Sequence, residues 1–228
     1  MRKVTLSFDN GPEPEVTPRV LEVLRERELR ATFFVIGEKL ADPTRRGLAQ
    51  RAQLEGHWIG NHSLTHSVPL GERRDRGAAA IEIGQAQNAL GPLARPERLF
   101  RPFGGGGRLD RCLLSREAVD YLVAGRYTCV LWNCVPHDWD DPDGWVDRAL
   151  KEIDAQPWTL IVLHDLATGA MRHLERFLDR LAESGTELVQ EFPPGCVPIR
   201  AGAIVEPIDG YVAAAVVWPC ARTRRRGG

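Results

Sequence analysis

Short apolar runs and amphipathic stretches alternate along most of the chain, and few folds accommodate that alternation. Residues 31–36, 127–132 and 159–163 carry almost no charged side chain and read as strands covered on both faces. Residues 4–9, 58–62 and 98–101 read as three further strands. Between them lie helical patterns. Thr17-Pro18 offers an N-cap and a first-turn proline ahead of a Val20, Leu21, Leu24 stripe, and residues 43–55, 74–90, 115–125 and 143–155 follow. Leu174, Phe177, Leu178 and Leu181 form a last stripe that stops at Gly185. Strand and helix in this order predict a mostly parallel α/β sheet, closed into a barrel or left open, with functional groups at the carboxyl ends of the strands.

Bulk properties exclude several classes. The chain has 228 residues, enough for one sizeable core, with 43% hydrophobic and 27% charged residues. A formal net charge of -1 argues against a nucleic-acid grip over the whole surface. Only Arg222 to Arg226 is strongly basic, and a short solvated tail accounts for it. The chain starts almost directly on a strand with no apolar leader and no run fit to cross a bilayer, so a cytoplasmic protein without membrane partners is expected. Cys112, Cys129, Cys134, Cys196 and Cys220 include no Cys-x-x-Cys pair, which suits reduced thiols. After Phe192 proline and glycine accumulate, and residues 191–228 are expected to form an irregular extension with one or two short strands. Residues 1–190 would form the principal domain.

Polar residues collect at five strand ends. Along Val4 to Asp9 the side chains alternate, so Thr5, Ser7 and Asp9 share one face and Asn10 should point the other way. Gly11-Pro12 then breaks the ladder, letting Asp9 and Asn10 both lean into a cleft. His62 and His66 stand at i and i+4, which on a helical turn lets both imidazoles reach one divalent ion. By itself such a pair is equally an accident of spacing, and His57, just upstream, reads as structural. Gly104 to Gly107 contribute no side chain to packing and permit close approach to the main chain, as in a phosphate cradle or an oxyanion site. Asp138-Trp139 and His164-Asp165 follow the last two apolar strands, and Asp138 could fix the tautomer of His164.

Taken in order, SFDNGP (7–12), HSLTH (62–66), RPFGG (101–105), DW (138–139) and VLH (162–164) resemble the polysaccharide deacetylase family, carbohydrate esterase family 4. The resemblance runs over about the first 190 residues. It implies a distorted (β/α) barrel of about seven strands, similar to a TIM barrel. It also implies hydrolysis of a non-peptide amide, usually N-acetyl, on a saccharide or small molecule. The implied cofactor is one divalent metal ion, zinc or alternatively cobalt, nickel or manganese. On this likeness His62, His66 and Asn10 would hold the ion, and Asp9 would be the general base, aimed by Arg101. His164 would be the general acid, oriented by Asp138 and walled by Trp139. The Gly104 N–H, where the family usually has Tyr, would serve the oxyanion, and loss of that Tyr should widen the pocket.

Two positions depart from the family pattern. Asn10 replaces a carboxylate by a neutral amide, which weakens metal retention. Val135 stands where many members place an extra Asp. These departures leave two other readings open: a metal-independent hydrolase of cyclic amides or ureides, and a non-catalytic homologue that binds a glycan or a protein. Oligomeric state is not legible.

Overall fold

The structure is a computed structural model and describes residues 1–214. Cys220 and the arginine-rich stretch lie outside the described residues. Six parallel strands form the frame: β1 (Lys3–Asp9), β2 (Thr32–Val35), β3 (Trp58–Asn61), β4 (Leu99–Phe100), β5 (Thr128–Cys129) and β6 (Trp158–His164). They lie in the order β6-β1-β2-β3-β4-β5. β1 pairs with β6 along its whole length, in a register that sets Asp9 beside His164. Beyond β5 the chain returns to β6, where Val162 N–H donates to Cys134 O at 3.0 Å and Leu160 N–H to the Asn133 side chain at 2.7 Å. The sheet therefore curls toward closure, giving the distorted barrel that the family resemblance implies and deciding between the closed and open sheets that the alternation of elements allows.

Helices cover the outside. α1 (Thr17–Glu26) carries Pro18 in its first turn but begins one residue early, with Val16 and not Thr17 at the N-cap, and α2 (Pro43–Leu54) is capped by Asp42, which accepts the Thr44 N–H at 2.7 Å. The helix expected over 74–90 starts only at Ala78, because Gly77 sits at φ +81°, outside helical space. Its first turn, Ala80–Gln85, is π-helical, and α3 (Ala86–Leu90) completes it. α4 (Arg116–Ala124), capped by Ser115, α5 (Trp145–Asp154) and α6 (Leu174–Glu183) follow. Among the described residues no helix is long and apolar enough to cross a membrane.

Strand alternation decides what faces inward. Val4, Leu6 and Phe8 pack outward with Leu21, Trp145 and Phe177 of the helices. Thr5, Ser7 and Asp9 point into the barrel, whose interior Phe34, Leu99, Val130 and Leu160 fill. Past Val189 the chain does not leave the barrel. β7 (Glu187–Val189) pairs with the first half of β1, while β8 (Ile199–Arg200) runs antiparallel to both β5 and β9 (Ala203–Ile204). The four cysteines among the described residues are free thiols.

Candidate active site

One cavity of about 250 Å³ opens at the carboxyl ends of the strands, and Asp9, Asn10, His62, His66, Trp139 and His164 all line it. Residues far apart in sequence thus meet around one space. Asn10 does so because its backbone is left-handed, at φ +74°, which ends the strand alternation and turns its side chain to the same cavity as Asp9.

Asp9 is held from below by Arg101. The guanidinium is fully buried, donates to Asp9 Oδ1 at 2.8 Å and Ser7 Oγ at 2.7 Å, and reaches the carbonyls of Val130 and Leu131 at 3.3 and 3.2 Å. The Phe34 ring lies beneath it, 4.0 Å from ring centroid to guanidinium carbon. A buried charge satisfied on every side has no other position to take, so the carboxylate it grips is fixed in direction.

His62 Nδ1–H donates to the Arg101 carbonyl at 2.9 Å, which leaves Nε2 as a lone pair directed at the cavity, 3.5 Å from Asp9 Oδ2. The His66 ring stands 4.7 Å from that of His62 and 3.9 Å from Phe103. Burial pulls both imidazoles down to about 3, so both are neutral and able to act as ligands near neutrality. The loop between them is not the helical turn that the i, i+4 spacing suggests. Ser63 and His66 are left-handed at φ +65° and +52°, and the rings converge through this irregular turn instead.

Across the cavity, Asp138 takes both N–H groups of His164, accepting Nδ1–H and the main-chain N–H at 2.8 Å each. Burial disfavours the imidazolium, but the Asp138 hydrogen bond and charge, helped by Asp9, outweigh it and raise the His164 pKa. Trp139 meets the ring edge-on at 4.7 Å. His57 stays apart from the site, its Nδ1 accepting the Ala31 N–H at 3.1 Å against Phe33.

The glycine run forms a wall of the cavity. Gly106 and Gly107 are left-handed at φ +65° and +74°, and a Cβ on Gly107 would lie 2.8 Å from Val135. Gly104 does not widen the pocket as its missing side chain suggests. A Cβ there would fall 2.6 Å from the Trp132 indole, which occupies that space and donates to Gly107 O at 3.0 Å. Trp132 is a wall residue that reads in sequence only as the end of an apolar strand. Glu82, which braces the histidine loop, is equally hidden in an amphipathic pattern.

Among the described residues no three His, Cys, Asp or Glu side chains group so as to hold a metal ion. The available donors are two imidazoles and an amide. The Asn10 Oδ1 is buried without a hydrogen-bond partner, on the same cavity as the outward His62 Nε2. Buried lone pairs without a donor fit a cation among them.

Comparison with known proteins places this geometry in a lineage. A family model described as polysaccharide deacetylase matches residues 1–121. The chitooligosaccharide deacetylase of Sinorhizobium fredii is 34% identical over 165 residues, 71% of each chain. The peptidoglycan-N-acetylglucosamine deacetylase of Bacillus cereus is 30% identical over 167 residues, 71% of this chain and 72% of the relative. The family 4 carbohydrate esterase from Streptomyces lividans, solved in complex with acetate, superposes with a TM-score of 0.68 at 27% identity, covering 86% of this chain and 96% of its own. With family model, curated relatives and barrel in agreement, the chain belongs to the polysaccharide deacetylase family and is a hydrolase of non-peptide carbon–nitrogen bonds.

Proposed function

We propose that the protein removes the acyl group, most simply acetyl, from the amide nitrogen of an amino sugar, with a divalent ion held by Asn10, His62 and His66. One observation carries this reading. A carboxylate gripped by Arg101 and an imidazole gripped by Asp138 stand on paired residues of neighbouring strands and line one cavity. Base and acid of different character, each aimed by its own partner, are what amide hydrolysis requires.

Asp9 takes the proton of the attacking water. The Gly104 N–H donates to the oxygen that gains charge as the carbonyl becomes tetrahedral. His164 carries its exposed proton on Nε2 and delivers it to the departing amine, while Asp138 holds the opposite nitrogen and stabilises the protonated ring. Trp132, Trp139 and Val135 wall the space against bulk water. A bound divalent ion supplies Lewis-acid polarisation of the carbonyl and an acidified water. At about 250 Å³ the cavity lies just below the usual range of ligand sites, roughly 300–1,000 Å³, and suits one sugar residue with its acyl group.

Acetate release from N-acetylated chitooligosaccharides, followed with and without added zinc, tests the reading. Asp9→Asn and His164→Ala are each expected to lower kcat by at least ~10²-fold. Wild-type turnover in either variant refutes the assigned role. Turnover indifferent to a chelator removes the metal and favours the metal-independent reading that Asn10 permits.

A further inference from the structure

We propose that Glu82 is a positioning residue that sets the geometry of the histidine loop for the ion, an inference that rests on Asn10, His62 and His66 being the ion site. Glu82 lies on the π-helical turn ahead of α3 and is 2% exposed. Its Oε2 accepts the main-chain N–H groups of Leu64 and Thr65 at 3.1 and 3.0 Å. Its Oε1 accepts the Thr65 hydroxyl at 2.8 Å and pairs with Arg73 at 2.9 Å. The next residue takes part too: the Ile83 carbonyl accepts the Asn61 amide at 2.9 Å, and Asn61 Oδ1 in turn accepts the Ser63 N–H at 2.9 Å.

The main-chain donors of the loop can be followed one by one. The His62 N–H goes to Val35 O, Ser63 to Asn61 Oδ1, Leu64 and Thr65 to Glu82, and His66 to Ser63 Oγ. One carboxylate therefore satisfies two successive donors midway between the histidines. On the other side, Gly37 and Glu38 N–H groups hold the carbonyls of Ser63 and Leu64 at 2.9 and 3.1 Å. Left-handed Ser63 and His66 are conformations a free loop abandons, at roughly 1–3 kcal/mol each, unless the surroundings impose them. Without Glu82, the Leu64 and Thr65 N–H groups lose their acceptor, the Thr65 hydroxyl keeps only Ser67 and Arg73 only Asp75, and the spacing of the two rings is no longer dictated.

The π turn makes this reach possible. Such turns insert an extra residue into a helix and recur at functional sites. Gly84 lets it seat tightly, since a Cβ there would meet the Tyr121 hydroxyl at 2.3 Å. Sequence reading misses the device because Glu82 sits among apolar residues whose helical spacing gives no hint of a bond to a loop 17 residues earlier.

Zinc titration calorimetry on the chelator-stripped full chain tests the proposal, with Glu82→Gln, Thr65→Val and His62→Ala beside wild type. Glu82→Gln is expected to weaken zinc binding by roughly 10–100-fold, the usual effect of losing an outer partner of a ligand. In the ion-free variant, amide exchange at Leu64 and Thr65 should accelerate, and excess zinc should restore turnover. Thr65→Val, which removes the hydroxyl bond to Glu82 together with the one to Ser67, is expected to weaken binding about threefold by loss of roughly 0.6 kcal/mol, and serves if the Gln variant does not fold. Unchanged zinc affinity in Glu82→Gln, or in Thr65→Val should that variant alone fold, while His62→Ala loses binding, overturns the positioning role. Unchanged affinity in His62→Ala overturns the ion site itself.

Discussion

Asp165 is a fully buried carboxyl directly behind the catalytic end of β1, so close to Gly11 that a Cβ on that glycine would lie 2.3 Å from its oxygens. Burial pushes it up to about 7, against the lowering hydrogen bond from Thr17, and its Oδ1 has no partner. The native state therefore keeps a proton that the unfolded chain has released once the pH passes the ordinary carboxyl value near 4. For an acid raised in this way, stability falls as pH rises from about 4 to about 7 and is level above, a loss on the order of 4 kcal/mol. Asp165→Asn should remove that slope, read as urea midpoints at about pH 4.5 and 7.5. Equal slopes in both proteins would refute the assignment. Residues of this kind mark the limit of sequence reading. Asp9, Asn10, His62, Arg101, Asp138 and His164 are legible because the motifs that contain them, taken in order, resemble those of the polysaccharide deacetylase family. Trp132, Glu82 and Asp165 are not, because each acts through a contact that no local pattern announces: an indole in the space above Gly104, a carboxylate under a loop, an acid behind a glycine.

Strands carry information that helices here do not. β2, β5 and β6 stand where apolar runs place them, since burial on both faces leaves a run with no competing explanation, and β1 stands where alternation places it. The helix over 74–90 is shortened by a single left-handed glycine and opened into a π turn, neither of which periodicity can register. Packing between neighbouring strands also reaches the site. On β3, Gly60 has no side chain because the Phe34 ring of β2 lies across it, 2.5 Å from where a Cβ would be. The same ring supports the Arg101 guanidinium. Gly60→Ala is expected to destabilise by about 1–3 kcal/mol through overpacking. Because the displaced ring is the floor under Arg101, it should also lower kcat with little change in KM. A variant with wild-type melting and kcat would show that the two strands can separate without disturbing the charge pair.

At the scale of the whole molecule, packing runs across residue 190. Val197, Ile199, Ile208 and Val212 are buried, and the last three belong to the cluster that contains Phe100, Leu122 and Leu131. Their burial contributes roughly 1.5–3 kcal/mol each, a sum comparable to the entire ~5–15 kcal/mol margin of a typical domain. Hydrogen bonds tie the same segment to the frame: Leu131 N–H donates to Cys196 O at 2.7 Å, and Leu114 N–H to Tyr211 O at 2.9 Å. The connection extends to the chemistry. Val130 and Leu131, held in place from this side, offer the carbonyls that grip Arg101, and Arg101 aims Asp9. A chain ended after Phe192 is therefore expected to lose cooperative urea unfolding, and with it acetate release, although every proposed catalytic and ligand residue remains present. The comparison needs only circular dichroism across a urea series for the two lengths. Should the shorter chain unfold in one transition at an unchanged midpoint, the segment after 192 is an attachment, and the barrel holds its arginine without it.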